Sequence, residues 1–292
     1  MKIAIYSRVV ENEQMELLQL FFDTLYSHNI TVTIWQAFYQ QIQHTIQWQQ
    51  QPTTYNNASE LNEHYEAMVS LGGDGTLLDT VTLVQNKDIA IMGINFGRLG
   101  FLASIGKDEI VAAIQALINH TYVTDERTLL HVDSDIPIFG SVPYGLNEFA
   151  IHKQDVSPMI KIHTYLNGEF LNTYWADGLI IATPTGSTGY SLSCNGPIVF
   201  PDSGSFVITP VAPHNLNLRP IIVPDNTVIS FEVEGRTEQY ICALDARREI
   251  VPLKAQIAIK KEDFGIKLIR LNENNFLQTL RNKLLWGFDK RN

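Results

Sequence analysis

The chain has 292 residues, 45% of them hydrophobic and 18% charged, which excludes a disordered chain and suffices for two domains. A formal net charge of −10 argues against a general nucleic-acid binder. Two cysteines, Cys194 and Cys242, make neither a disulfide framework nor a metal cluster.

Residues 1–8 lead straight into a strand without the long apolar segment of a signal peptide, and no stretch is apolar and long enough to cross a membrane. A cytoplasmic protein with no membrane partner is expected. Residues 2–6 read as a buried strand, and 13–25 as a helix with Leu17, Leu18, Phe21, Phe22 and Leu25 on its inward face. Residues 30–35 read as a second strand. From 36 to 57 the pattern dissolves into a Gln-rich stretch, read as a frayed helix and a surface loop without chemistry. The apolar run 67–71 is a buried strand, followed by the turn Gly72-Gly73-Asp74-Gly75 and a helix over 76–84. Residues 89–94 form the next strand, ending in Asn95-Phe96-Gly97-Arg98 on the same sheet edge as Asp74, and 107–120 an amphipathic helix. This alternation predicts a parallel sheet covered on both faces.

Near residue 124 helical periodicity gives way to short strands at 129–132, 144–152, 160–166, 170–175, 206–209, 228–233, 240–244, 256–259 and 266–271. Asn167-Gly168 marks a hairpin. A last helix over 275–285 is amphipathic through Phe276, Leu277, Leu280, Leu284 and Leu285, and is expected to pack back on the first domain. The boundaries that follow are 1–124 for an α/β domain, 125–270 for a β-rich domain and 271–292 for the returning segment.

Four stretches carry polar residues where patterning alone would not put them. In the turn around Asp74, glycines admit close ligand approach and the helix start offers free N–H groups, which suits a phosphate. A plain turn with Asp74 capping the helix is the alternative. The turn lacks the Gly-Lys-Ser/Thr ending of a Walker loop and the dinucleotide Gly spacing. Asn147-Glu148 interrupts an apolar strand, as a bulge, an exposed edge or a site. Residues 176–193 run from a buried strand into Thr183-Pro184-Thr185-Gly186-Ser187-Thr188-Gly189-Tyr190, whose hydroxyls could serve phosphates and riboses or simply build a loop. Asp245-Ala246-Arg247-Arg248 could supply cations or be a charged hairpin tip. Gly186-Ser187-Thr188-Gly189 lacks nucleophile-elbow spacing, and the histidines lack metal-ligand spacing.

Taken in order, Gly72 to Thr76, Gly93 to Asn95 with Gly97 to Leu102, Asn147-Glu148, Asp177-Gly178 through Thr188, Tyr190 to Ser193, Gly196 to Ile198, Thr209-Pro210 with Pro213-His214, and Arg219-Pro220 resemble the bacterial NAD kinases over nearly the whole chain. The first motif alone is shared with diacylglycerol-type lipid kinases. The resemblance implies an N-terminal α/β domain with a Rossmann-like parallel sheet, a β-rich C-terminal domain and a C-terminal helix returning to the first. It implies transfer of phosphate from ATP to the 2′-hydroxyl of the adenosine ribose of NAD, giving NADP.

By position, Asp74 would be the general base. Asp74, Gly75, Asn147, Glu148, Asp177, Thr188, Gly189, Tyr190, Ser191, Leu192, Ser193, Ala212 and Arg247 would serve NAD. Gly72, Gly73, Gly75, Thr76, Asn95, Gly97 and Arg98 would face ATP, with a divalent ion, Mg²⁺, accompanying the nucleotide rather than sitting in a dedicated protein cage. A homodimer or homotetramer is implied. Departures from the family pattern are Gly189 for Ala, Cys194-Asn195 for a small pair, an acidic Asp79 beside the phosphate site, and Asp245-Ala246-Arg247 for Asp-Gly-Gln. Two other readings stay open on the residues: a non-catalytic NAD-binding regulator, and a lipid kinase sharing only the Asp74 turn.

Overall fold

The computed structural model describes residues 1–154, 158–271 and 275–284. The chain divides into two compact units, one of residues 1–126 and 266–292, the other of residues 127–265.

In the first unit, β1 (Lys2–Tyr6), α1 (Met15–Ser27), β2 (Thr31–Trp35), α2 (Gln36–Ile42), β3 (Thr53–Tyr55), β4 (Ala67–Leu71), α3 (Asp74–Val84), β5 (Ala90–Asn95), β6 (Ile105–Gly106) and α4 (Ile110–Asn119) follow one another. The sheet is parallel, in the order β5-β4-β1-β2-β3. Strands β4 and β5 are buried along their full length, as a sheet covered on both faces requires. One face of α1 (Leu18, Phe21, Phe22, Leu25) and one of α4 (Ile110, Ala113, Ile114, Leu117) share a single apolar cluster with Ile3, Ile5, Val69 and Met92 of the sheet.

The stretch read as a surface loop holds a strand. β3 pairs with β2, and its Tyr55 is buried, with its hydroxyl donating to the Ile5 carbonyl at 3.2 Å. Three residues between a Gln-rich run and two asparagines are too few for periodicity to register.

The second unit opens within β7 (Val123–Ser134) and continues through β8 (Tyr144–Gly145), β9 (Glu148–His152), β10 (Ile160–Leu166), β11 (Glu169–Ala176), β12 (Gly178–Ala182), α5 (Tyr190–Ser193), β13 (Ser205–Val211), β14 (Ile221–Pro224), β15 (Ile229–Glu234), β16 (Gln239–Leu244), β17 (Arg247–Pro252) and the first part of β18 (Ile257–Arg270). One antiparallel sheet runs β14-β13-β12-β9-β16-β17, and β11-β10-β15-β18 form another. Their inner faces share a core in which Phe149 stacks on Phe231, ring centroids 6.2 Å apart. The turn at Asn167-Gly168 has both residues at positive φ, as a tight hairpin demands.

The stretches 256–259 and 266–271, read as separate strands, belong to one strand, β18. Its Ile257–Ile259 end pairs antiparallel with β15, and Leu268 and Ile269 pair parallel with β5. The last helix, α6 (Phe276–Leu284), belongs to the first unit. Its Leu280 is buried, whereas Leu277, expected to face inward, is 46% exposed. Leu285 lies outside the described residues. No helix among the described residues is long and apolar enough to cross a membrane.

Candidate active site

The chain leaves β1 toward β2 and β3 on one side and returns to β4 on the other, so the strand order switches direction between β1 and β4. Open α/β sheets bind ligands outside the carboxyl ends of their strands at such a point. Residues 7–8 and 72–75 meet there: Ser7 Oγ donates to the Leu71 carbonyl at 2.8 Å. Of the three glycines in this turn, only Gly72 takes a positive φ, +146°. Gly73 stands extended at the N-cap.

Asp74 is the first residue of α3 and its side chain caps nothing in that helix. Its carboxylate instead accepts the backbone N–H of Phe101 at 2.9 Å on Oδ2, and those of Leu102 and Ala103 at 3.0 Å on Oδ1. The two Gly-containing turns are therefore clamped together by one side chain. Gly100 is required for this clamp, because a Cβ there would lie 1.7 Å from Asp74 Oδ1. Asn95 shapes the same turn, accepting from the Gly97 N–H at 2.9 Å and donating to the Arg98 carbonyl at 2.6 Å. Arg98 projects outward and exposed. Thr76 is buried under Gly72.

Arg8 was not singled out from the sequence. Its guanidinium forms an ion pair with Asp79 through Nε and donates from Nη2 at 2.7 Å to the other carboxylate oxygen, while the Tyr6 hydroxyl also donates to Asp79 at 2.9 Å. Nη1 of Arg8 lies 3.4 Å from where a Gly75 side chain would begin. The acid that looked adverse to phosphates is thus neutralised, and its partner cation stands beside the start of α3. Only the strand order brings residue 8 to this place.

In the second unit, Asp245 is half-buried at positive φ in the hairpin between β16 and β17. It accepts the N–H groups of Leu146 and Asn147, each at 2.8 Å, and of Glu148 at 3.2 Å. This explains the polar interruption at Asn147-Glu148. The strand breaks there because β8 pairs with β7 while β9 pairs with β12 and β16. Asp245 satisfies the N–H groups that the break frees. Asn147 Oδ1 and Glu148 Oε2 are buried without a hydrogen-bond partner, an arrangement that a ligand's donors would satisfy.

Burial, reinforced by the neighbouring Asp245, pushes the Glu148 carboxyl up to about 8. Below about pH 4.5 the folded and unfolded chains both carry its proton. Between about 4.5 and 8 only the folded chain keeps it, so stability falls as pH rises through that window and levels off above it. Glu148→Gln is expected to flatten the slope and to be the more stable form at pH 8.5 by on the order of a few kcal/mol. Urea unfolding at pH 5 and pH 8.5 checks this, and identical slopes for the two proteins would count against a buried neutral Glu148.

Asp177 pairs with Lys153 at 2.8 Å and stays one-third exposed. The ring of Tyr190 lies 5.5 Å from that of His152. His152 and Tyr190 line a cavity of about 450 Å³ with Glu148, Asp245 and Arg248. Gly189 borders Glu148, and a Cβ there would come within 2.9 Å of Glu148 Oε2, so the departure from Ala leaves room for this carboxyl rather than merely loosening the turn.

The hydroxyl row is mostly spent within the protein, on its own loop and on neighbouring strands. Thr183 Oγ1 donates to the Leu146 carbonyl at 2.5 Å, Ser187 Oγ to Pro184 at 2.6 Å, and Thr188 Oγ1 to Thr185 at 3.2 Å. Ser191 Oγ bonds Thr209 Oγ1 at 2.8 Å, which leaves its backbone as what it offers a ligand. Leu192 is half-buried, and Ser193 and Ala212 are exposed. Arg247 donates to the Val142 carbonyl and, at 2.5 Å, to that of Tyr144, so its guanidinium braces the segment before Asn147.

Among the described residues no three His, Cys, Asp or Glu side chains converge to hold a metal. The carboxylates near the Asp74 turn fit a metal poorly as direct ligands, since Asp74 is bound by N–H groups and Asp79 by Arg8.

A parallel sheet carrying this turn at its switch point, with the N–H groups of a helix start beside it, has the form of an α/β protein that binds a phosphate-bearing nucleotide. Family profiles described as the ATP-NAD kinase N-terminal domain and the ATP-NAD kinase C-terminal domain match residues 3–122 and 146–271. The chain belongs to the ATP-NAD kinase family. It is 51% identical to the NAD kinase of Cytophaga hutchinsonii over 82% of each chain, and 45% identical to that of Flavobacterium johnsoniae over the whole of both. Its fold is that of yeast NADH kinase, solved with NADH (TM-score 0.89, 22% identity, 99% of this chain and 88% of that one). An NAD kinase from Archaeoglobus fulgidus, solved with ATP, is also similar (TM-score 0.73, 23% identity, 98% and 99%).

Proposed function

We propose that this protein transfers the γ-phosphoryl group of ATP to the 2′-hydroxyl of the adenosine ribose of NAD, releasing NADP and ADP, with Asp74 as general base. The observation that carries the role of Asp74 is its placement. It stands at the switch point with both oxygens held by backbone N–H groups, Oδ1 accepting two and Oδ2 one. A carboxylate has about four acceptor positions, so one on Oδ2 is left to take the ribose proton. A ribose hydroxyl is a poor nucleophile, and a fixed base relieves that deficit. The remainder of phosphoryl transfer is positioning and charge neutralisation.

The N–H groups at the start of α3, with Arg98 and the turn around Asn95, receive the donor's phosphates. Mg²⁺ arrives on those phosphates as part of the substrate. Asn147, Glu148 and Asp177 hold NAD. The orphaned Asn147 Oδ1 and the proton on Glu148 offer an acceptor and a donor to its polar edge. The free thiols of Cys194 and Cys242 support a reducing compartment, the cytoplasm. Exposed Phe170 and Trp175 on β11, with Ile222 on β14, support self-association into a homo-oligomer.

Purified protein given NAD, ATP and Mg²⁺ is expected to form NADP carrying the new phosphate on the ribose 2′ position. Binding of NAD without turnover would favour the regulator reading instead.

A further inference from the structure

Arg247 and Arg248 are neighbours in β17, and the pleat of a strand sends neighbours to opposite faces of the sheet. Arg247 stands opposite Leu244 of the apolar core and is spent on the carbonyls of Val142 and Tyr144. Arg248 stands opposite Ala243, which in turn pairs with Ala150 on β9. These three line the cavity of about 450 Å³ that Glu148, His152 and Tyr190 also border. That volume falls within the range of small-molecule sites.

The charges of the lining single out Arg248. Ala150, Ile241 and Ala243 make an apolar floor, and the two alanines leave open the space that larger side chains would fill. Burial, and then the Arg248 charge, hold the His152 imidazole below its ordinary range, so it is neutral at pH 7. Lys153, next along the chain, is paired with Asp177 at 2.8 Å. Arg248 is therefore the cation among the described residues that line this cavity. It is exposed, and no described residue forms a hydrogen bond or ion pair with it. Glu148 keeps its proton to about 8, and Asp245 turns its oxygens to three N–H groups, so neither lining carboxyl answers that charge.

A guanidinium with free donors beside an apolar floor suits an anion that presents paired oxygens. NAD carries one such group, the pyrophosphate that joins its two nucleosides. The His152 and Tyr190 rings, centroids 5.5 Å apart, offer aromatic surface next to it for what the pyrophosphate carries. We propose that Arg248 binds the pyrophosphate of NAD and so sets where the dinucleotide lies in this cavity. This rests on the cavity being the NAD site, and NAD binding by the unaltered protein tests that reading alone.

Calorimetric titration with NAD, and with adenosine as a ligand without phosphate, tests the assignment. Arg248→Gln is expected to weaken NAD binding at least about tenfold, as loss of a charge-assisted hydrogen bond does, and to leave adenosine within about twofold of the parent. Arg248→Lys, which keeps the charge without the planar fork, should fall between the two. A folded Gln variant that binds NAD within about twofold of the parent overturns the assignment. So does an equal loss for adenosine, which would place the damage in the shape of the cavity. A loss confined to NADP, with NAD unaffected, would put the 2′-phosphate on Arg248 and overturns it as well. If the Gln variant does not fold, the Lys variant decides on the same two ligands. NAD weakened at least about threefold with adenosine unchanged supports the proposal, and no selective loss overturns it. An unaltered protein that does not bind NAD removes the NAD site and this residue together.

Discussion

Asp74→Asn is expected to slow NADP formation by about 10²–10⁴-fold, the usual worth of a positioned acid–base group. The structure adds a second consequence. The carboxylate bonds three N–H groups of residues 101–103, and an amide keeps acceptor capacity only on its oxygen. With the Asn oxygen facing Leu102 and Ala103, its NH₂ meets the Phe101 N–H, donor against donor. The lost charge-assisted bond costs about 1.5–3 kcal/mol, so a lower melting temperature should accompany the slow turnover. The two effects separate experimentally. NAD affinity by calorimetry should persist, since Asn147, Glu148 and Asp177 are untouched, while single-turnover phosphoryl transfer should not. Turnover within tenfold of the parent would remove Asp74 from the role of base and leave it the clamp on the 101–103 turn.

Asp245→Ala is expected to have the largest effect on stability. It strips the acceptor from the buried N–H groups of Leu146, Asn147 and Glu148 together. An unsatisfied buried donor costs about 1–3 kcal/mol, so the variant should lose at least about 3 kcal/mol. In a chain of this size that corresponds to a melting temperature roughly 6–12 °C lower. It should also raise KM for NAD, because the residues set free are the ones that would hold the substrate. Asp245→Asn, which keeps one acceptor oxygen, should fall between parent and Ala. An Ala variant melting with the parent would show that water or backbone movement supplies the missing acceptor, and would end the argument that Asp245 organises this segment.

The slow turnover of Asp74→Asn follows from the sequence alone; the stability cost of either substitution does not, although both residues stood out in it. Asp74 was legible as a carboxylate in a Gly-rich strand-to-helix turn, because short-range patterning carries that information. That its oxygens reach residues 101–103 depends on β4 lying beside β5. Asp245 was visible only as part of a charged stretch that could supply cations or be a hairpin tip, with the family departures beside it at Ala246 and Arg247. Its role depends on a break in pairing 97 to 99 residues earlier in the chain. The hydroxyls of residues 183–191 show the converse: their density drew attention, yet those of Thr183, Ser187, Thr188 and Ser191 bond the protein itself. Composition cannot say whether a donor faces a ligand or the backbone.

What the sequence determined by itself was the class of fold, the order of strands and helices in the first unit, the hairpin at Asn167-Gly168 and the family to which the motifs point. All of these rest on local periodicity, turn chemistry or ordered short motifs. The tertiary structure decided the short strand β3, the single strand β18, the Arg8–Asp79 pair at the switch point, the Asp74 clamp and the hold of Asp245 on Asn147-Glu148. Each joins residues distant in sequence through strand order and hydrogen-bond pairing, and those are settled only when the sheets form and their buried polar groups must all find partners.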